Sequence, residues 1–224
     1  MSLTLAFDIY GTLIDTQGIT RQLSRHIGDK APEFSQRWRD KQLEYSFRRG
    51  LMRKYENFAV CTQNALDYTD LLLKTKLSDS TKHGLMEAYK VLPAYADVAE
   101  NLAKAKAVGF KLYGFSNGSA KAVDGLLQHA GIRDFFEGIV SVDSIQTFKP
   151  NPDVYQLFLE ESNSEKDKTW LISSNPFDVQ GAVSAGIKAA WLQRSPEAIF
   201  DPWGIEPTRR IDSLSELSTL HGRL

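Results

Sequence analysis

A short apolar run, Leu3-Thr4-Leu5-Ala6-Phe7, opens the chain and stops at Asp8 and the turn Tyr10-Gly11-Thr12. A brief uncharged run of this kind predicts a buried strand with a carboxylate at its C-terminal end. From about Gly18 to Tyr89 the pattern changes. Strand-like runs give way to long stretches rich in Arg, Lys, Gln and Glu, with Ile19, Leu23 and Ile27 at helical spacing. Trp38, Gln42 and Tyr45 repeat that spacing, and Leu66 and Leu73 carry it further, so this region is predicted to be helical.

After Pro93 strand and helix patterns alternate. Asp97 with Glu100 has the spacing of a capping box, and Val98, Leu102 and Ala105 share one helical face before Gly109. Lys111–Phe115 predicts a strand ending at Ser116-Asn117-Gly118, and Ser119 is placed to cap a helix with Val123, Leu126 and Leu127 on its apolar stripe. Gly138–Val142 predicts the next strand. A loop to Lys149-Pro150-Asn151-Pro152 leads into a helix bearing Val154, Tyr155 and Phe158. Trp170–Ile172 predicts a strand ending at Ser173-Ser174-Asn175, Pro176 opens a helix, and Lys188–Leu192 is the last clear strand pattern.

This order predicts an α/β fold: a core of residues 1–15 and about 95–224 with a parallel sheet, and a helical insertion over 16–94. In such sheets ligands gather beyond the C-terminal strand ends. Asp8, Ser116-Asn117 and Ser173-Asn175 all fall there.

Composition narrows the partners. A length of 224 residues supports a full core, and 42% hydrophobic with 25% charged residues is ordinary for a globular protein. A net charge of -1 offers no basic field for nucleic acid and no polybasic membrane anchor. Cys61 is the single cysteine, which excludes an intramolecular disulfide and thiol-rich zinc sites. Met1 to Phe7 lacks the pattern of a signal peptide, and no apolar stretch approaches the roughly 20 residues of a membrane span. The expected location is the cytoplasm. His26, His83, His129 and His221 are scattered and suggest neither a metal site nor a triad.

Several groups have chemical potential, each with a plainer use. Asp8 suits either a nucleophile at a strand tip or the cap of the following turn. Lys149 suits a cation that keeps Asp8 ionised, or a surface lysine. Ser116-Asn117-Gly118-Ser119, before a helix N-terminus, suits an anionic oxygen or simply a tight turn. Asp178 sits in a first helical turn, where the dipole favours its charge. Arg39 and Leu43 lie one turn apart, with Phe58 on the next helical stretch: a cation beside apolar groups, or a solvated arginine.

Taken in order, Asp8-Ile9-Tyr10-Gly11-Thr12-Leu13-Ile14-Asp15, Ser116-Asn117-Gly118, Lys149-Pro150 and Ser173-Ser174-Asn175-Pro176-Phe177-Asp178 resemble the haloacid dehalogenase superfamily. Trp38-Arg39-Asp40-Lys41-Gln42-Leu43-Glu44-Tyr45 with Tyr55-Glu56-Asn57-Phe58 resembles its L-2-haloacid dehalogenase branch. The resemblance covers nearly the whole chain up to about Arg194. It implies a Rossmann-like core with a helical cap, no metal or other cofactor, and a homodimer. By the same resemblance Asp8 is the nucleophile, Lys149 its cationic partner, and Thr12, Ser173 and Asn175 its hydrogen-bonding support. Ser116 would hold the substrate carboxylate, Arg39 and Asn117 the departing halide, and Tyr10, Leu43 and Phe58 its apolar walls. Tyr155 would steady Lys149, and Asp178 would position the hydrolytic water. The implied substrates are small L-2-haloacids, converted to D-2-hydroxy acids.

Phosphatase relatives carry an aspartate two residues after the nucleophile and an acidic pair near the last motif. Here Tyr10 and Ser173-Ser174-Asn175 stand in those places, which weakens a magnesium site and the alternative of a magnesium-dependent phosphatase. A carboxylate-binding protein without turnover is the other alternative. Two positions depart from the branch: Asp40, commonly glutamine, and Phe177, commonly tryptophan.

Overall fold

A computed structural model describes residues 2–221, so Met1 lies outside the described residues. Six strands, β1 (Thr4–Phe7), β2 (Lys111–Ser116), β3 (Gly138–Ser141), β4 (Thr169–Ser173), β5 (Lys188–Leu192) and β6 (Arg209–Ile211), form one sheet. All pair in parallel, in the order β3-β2-β1-β4-β5-β6. This is a Rossmann-like α/β sheet whose order reverses at β1. β6 has no counterpart in the sequence pattern, whose last clear strand is Lys188–Leu192. Arg209-Arg210-Ile211 is too short and too charged to show a period, and its extended form follows from pairing with Ala190–Leu192.

Strand alternation sorts the core into two layers. Leu5 and Phe7 join the cluster containing Leu102 and Val123, from α5 (Val98–Ala107) and α6 (Ala120–His129). Ala6 faces the opposite cluster, with Tyr155 and Phe158 of α7 (Pro152–Glu161) and Val179 of α8 (Pro176–Ser184). The remaining helices, α1 (Gln17–Ile27), α2 (Ala31–Met52), α3 (Phe58–Leu73) and α4 (Asp79–Ala88), lie between β1 and β2. Their apolar stripes meet around Trp38, whose indole N–H donates to Thr62 O at 2.8 Å. No helix among the described residues is long and apolar enough to cross a membrane.

Ser119 caps α6 by accepting from Ala122 N, as its position implies. The capping box at Asp97 does not form. Asp97 has helical dihedrals and no cap bond; its carboxylate accepts from Arg194 Nη1 at 2.8 and 2.9 Å, while Glu100 pairs with Lys104. A charge-assisted pair with arginine outcompetes a neutral backbone donor. Arg194 also donates twice to Thr12 O, at 3.0 and 2.7 Å, and lies 4.4 Å from the centre of the Tyr95 ring. It thereby ties down both passages between sheet and inserted helices, where Ile14 bridges Ala94 and Tyr95 N donates to Leu13 O.

Candidate active site

Asp8 N donates to Ile172 O at 3.0 Å, which holds Asp8 at the tip of β1, between β2 and β4. Gly11, at φ 79°, lets the following turn double back. That turn returns Thr12 to the carboxylate, and Thr12 Oγ1 donates to Asp8 Oδ2 at 2.7 Å. The same hydroxyl accepts from Ser174 N at 2.9 Å, which directs its single proton at Asp8. Asn175 Nδ2 gives Oδ2 a second hydrogen bond at 2.7 Å. Among the described residues, Asp8 Oδ1 has only Lys149 Nζ, at 3.4 Å. One carboxylate oxygen is therefore fixed and the other is the freer.

Lys149 is 1% exposed and its ammonium meets three acceptors: Asp178 Oδ2 and Phe115 O, each at 2.8 Å, and Asp8 Oδ1. The Phe115 ring lies under it at 4.0 Å. Its backbone N–H donates to Asn117 Oδ1 at 2.9 Å, so Asn117 also sets the lysine loop. Asp178 is completely buried. Burial raises its pKa to about 6, the Asp8 charge adds to the rise, and Lys149 pulls it back. Its first-turn place in α8 does not offset that desolvation. Tyr155 donates to Asp178, 2.9 Å from Oδ1 and 3.0 Å from the carbonyl. The resemblance implies that Tyr155 steadies Lys149, and the bond that joins its hydroxyl to the lysine's partner is the one to Asp178.

The hydrogen-bonding support of Ser173 is given one residue away from Asp8. Its hydroxyl accepts from Asn175 N at 3.1 Å, so it shapes the loop that presents Asn175 and gives Asp8 no bond of its own. Ser116 Oγ accepts from Gly118 N at 3.1 Å at the end of β2.

Over Asp8, the inserted helices close a small cleft of about 20 Å³, walled by Tyr10, Leu43, Phe58 and Phe177, with Ser116 and Asn117 at its base. Arg39 enters it from α2. Its Nη2 donates to Asn175 Oδ1 at 3.3 Å and its Nη1 to Gln42 Oε1 at 2.8 Å, while Gln42 Nε2 donates to Thr62 Oγ1. A continuous chain therefore runs Asp8–Asn175–Arg39–Gln42–Thr62. Gln42 was read from the sequence as one member of a helical packing stripe. Its spacing of three from Arg39 was the available signal, but an interior glutamine's partner is not visible in a pattern.

Tyr89 was also missed. It packs edge-on to Tyr10 at 6.2 Å and to Trp38 at 5.3 Å. Burial pushes both tyrosine hydroxyls, Tyr10 and Tyr89, up to about 12, so they stay protonated near neutral pH. Asp40 is exposed and accepts from Gln36 Nε2 at 2.7 Å, which turns it to solvent and away from the cleft. Phe177 packs edge-on against Phe47 at 5.3 Å.

These features define a doubly wound α/β protein with a carboxylate–ammonium–carboxylate line beneath a helical insertion. The family model of haloacid dehalogenase-like hydrolases matches residues 3–186, and the chain belongs to that family. It is 35% identical over 210 residues to an (S)-2-haloacid dehalogenase of Pseudomonas sp. strain YL, covering 94% of this chain and 90% of that protein. It is 34% identical over 214 residues to an (S)-2-haloacid dehalogenase of Pseudomonas putida, covering 96% and 94%. The solved structure of L-2-haloacid dehalogenase from Xanthobacter autotrophicus with chloropropionic acid covalently bound is similar at a TM-score of 0.90 and 31% identity, covering 98% of each chain.

Proposed function

We propose that this enzyme hydrolyses the carbon–halogen bond of L-2-haloacids, giving D-2-hydroxy acids through an ester at Asp8 and without a metal ion. The observation that carries the reading is the asymmetry of Asp8, which lines the cleft: Oδ2 accepts two hydrogen bonds at 2.7 Å while Oδ1 has a 3.4 Å contact to Lys149. The substrate carboxylate binds at Ser116 and the neighbouring backbone N–H groups. Oδ1 attacks C2 from the side opposite the halogen, a C–O bond forms as the C–X bond breaks, and configuration inverts. The halide leaves toward Arg39 and Asn117 between the apolar walls of Leu43, Phe58 and Tyr10. A halide needs no proton to depart, which suits a tyrosine where a general acid would otherwise stand.

Water gives one proton to Asp178 and attacks the Asp8 carboxyl carbon; the bond from that carbon to the oxygen now on C2 breaks, and the leaving alkoxide takes the water's second proton from the Asp8 carboxyl group, which restores the Asp8 carboxylate. Asp178 is the carboxylate nearest this event. Its pKa of about 6 makes it an effective base near neutral pH, reached through the Lys149 ammonium that it shares with Asp8. The proton it receives passes to solvent as the product leaves. The ammonium between Asp8 and Asp178 neutralises the carboxylates as a bound cation would, which supports metal-independent chemistry. In this reading residues 16–94 are a cap over a core of 1–15 and 95–224, and the enzyme works as a homodimer in the cytoplasm.

The test is chloride release from each enantiomer of 2-chloropropionate, with EDTA present and Asp8→Asn as control. The expected result is release from the L enantiomer alone, lost in the variant. Release that requires added magnesium, or that survives in Asp8→Asn, would overturn the mechanism.

A further inference from the structure

The cleft over Asp8 is too small for more than the reacting centre. A water-sized group needs about 10–15 Å³ of such space, and the cleft offers about 20 Å³. Beside it, with Tyr10, Arg39 and Phe58 as shared walls, lies a chamber of about 340 Å³. That volume is within the range of small-molecule sites, roughly 300–1,000 Å³, and far exceeds the needs of a halide and a methyl group.

The chamber lies between the inserted helices and the core. Ala59 at the start of α3 and Met86 of α4 line one side, and Ala122 in the first turn of α6 lines the other. With Phe58 and the rings of Tyr10 and Tyr89, these give it largely apolar walls. The charged groups nearby are already engaged. Glu87 and Lys90 at the rim pair with each other at 2.5 Å, and Arg39 is bound to Gln42 and Asn175. The other polar groups of the lining, Thr16, Ser35, Asn57, Thr62 and Ser119, are uncharged, and an apolar chain would be desolvated by the walls between them.

The geometry points to this chamber as the seat of the C2 side chain. It makes the preferred substrates 2-haloacids with an apolar chain of several carbons, in place of 2-halopropionates. The inference rests on the dehalogenase reading and deepens it. The chain would run from C2 past Phe58 and Tyr10, with its end between Met86 and Ala122.

The experiment compares kcat/KM for L-2-bromopropionate, L-2-bromobutanoate and L-2-bromohexanoate in the wild type and in Ala122→Phe and Ala59→Phe. Both alanines are exposed helix positions, so the larger side chain narrows the chamber mouth without entering the core. In the wild type kcat/KM is expected to rise with chain length, by up to roughly fourfold for each methylene buried. In the two variants the ratio of bromohexanoate to bromopropionate is expected to fall by roughly tenfold or more, the worth of two methylenes. A wild-type preference for bromopropionate, or variants that depress both substrates equally, would overturn the chamber.

Calorimetry with hexanoate and propionate reads the chamber without turnover. Tighter hexanoate binding that Ala122→Phe abolishes supports it even if no bromide is released, an outcome that would remove only the dehalogenase reading. Equal affinities for the two acids would overturn it even if bromide is released.

Discussion

Lys149 Nζ donates to Asp178 Oδ2 at 2.8 Å in a setting where the lysine is 1% exposed and the aspartate is not exposed at all. A buried pair of this kind is costly to desolvate and costlier to break, since removing one partner strands the other charge, at about 3–5 kcal/mol. Its two members are also asymmetric toward Asp8. Lys149 faces Asp8 directly, whereas Asp178 is one ammonium away, with Tyr155 on its far side.

The first consequence is an acid limb. Asp178 must be ionised to accept a proton, so turnover is expected to fall about tenfold per pH unit below its pKa, which is about 6. Attack by Asp8 needs no such base, so the ester should accumulate at about pH 5, visible as added mass after a rapid quench. Tyr155→Phe removes a hydrogen bond that lowers the Asp178 pKa, and the limb should move to higher pH. A limb that stays in place would exclude Asp178 as the base.

Stability should slope with pH for the same reason. The pKa of Asp178 is raised from 3.8 to about 6 on folding, so the folded state keeps its proton where the unfolded state has lost it. Its contribution therefore declines as pH rises between those two values and is level above them. Urea midpoints across this window should show the slope in the wild type and lose it in Asp178→Asn.

The two bonds to Asp8 Oδ2 can be weighed separately. Thr12→Val removes one hydroxyl at nearly constant shape, and a hydrogen bond to a charged group is worth about 1.5–3 kcal/mol, roughly a 10- to 100-fold loss in kcat. Asn175→Ala should cost more, because the same amide also holds Arg39 at 3.3 Å. The variants are expected to be non-additive when combined. Losses that multiply independently would show that the two groups do not orient one oxygen.

Gln42 is expected to matter without touching substrate. It aims Arg39 from behind, so Gln42→Leu leaves the guanidinium charged and held by the longer bond to Asn175. Inhibition by added bromide should weaken and kcat/KM should drop by roughly tenfold, about one neutral hydrogen bond. Gln42→Glu, which keeps an acceptor for Arg39 Nη1, should recover part of the loss. No effect on bromide inhibition would place Gln42 in a purely structural role.

Asp40 is the counter-case. Its carboxylate faces Gln36 on the outside of α2, and Asp40→Gln should leave kcat/KM and halogen preference within about twofold. A larger change would require α2 to rotate in the working enzyme.

Strand tips were the most legible part of the site. A parallel strand must be apolar throughout because both faces are covered, so a carboxylate or a Ser-Asn pair at its end stands out against the run. Asp8 after Phe7, Ser116 closing β2 and Asn175 just past β4 were readable in this way, and the motifs in order carried the family. The third dimension of the same residues was not readable. Nothing in the spacing distinguishes a tyrosine that touches lysine from one that touches the lysine's aspartate, so only the structure shows that Tyr155 reaches Lys149 by way of Asp178. Asp97 shows the same limit, since its capping pattern is local while its actual partner, Arg194, is 97 residues away.

By itself the sequence determined the α/β order, the helical stretch between the first two strands, and the identity of Asp8, Lys149 and Asp178 as candidates. Those features depend on periodicity and on short motifs, which are properties of neighbouring residues. Tertiary structure alone decided that one Asp8 oxygen is held by two short bonds and the other by one long contact to Lys149, that Arg39 is aimed by Gln42, and that a wide chamber adjoins a narrow cleft. It also decided that β6 is a strand at all. Each of these follows from groups far apart in the chain meeting in a medium with little water, where burial and pairing set both geometry and charge.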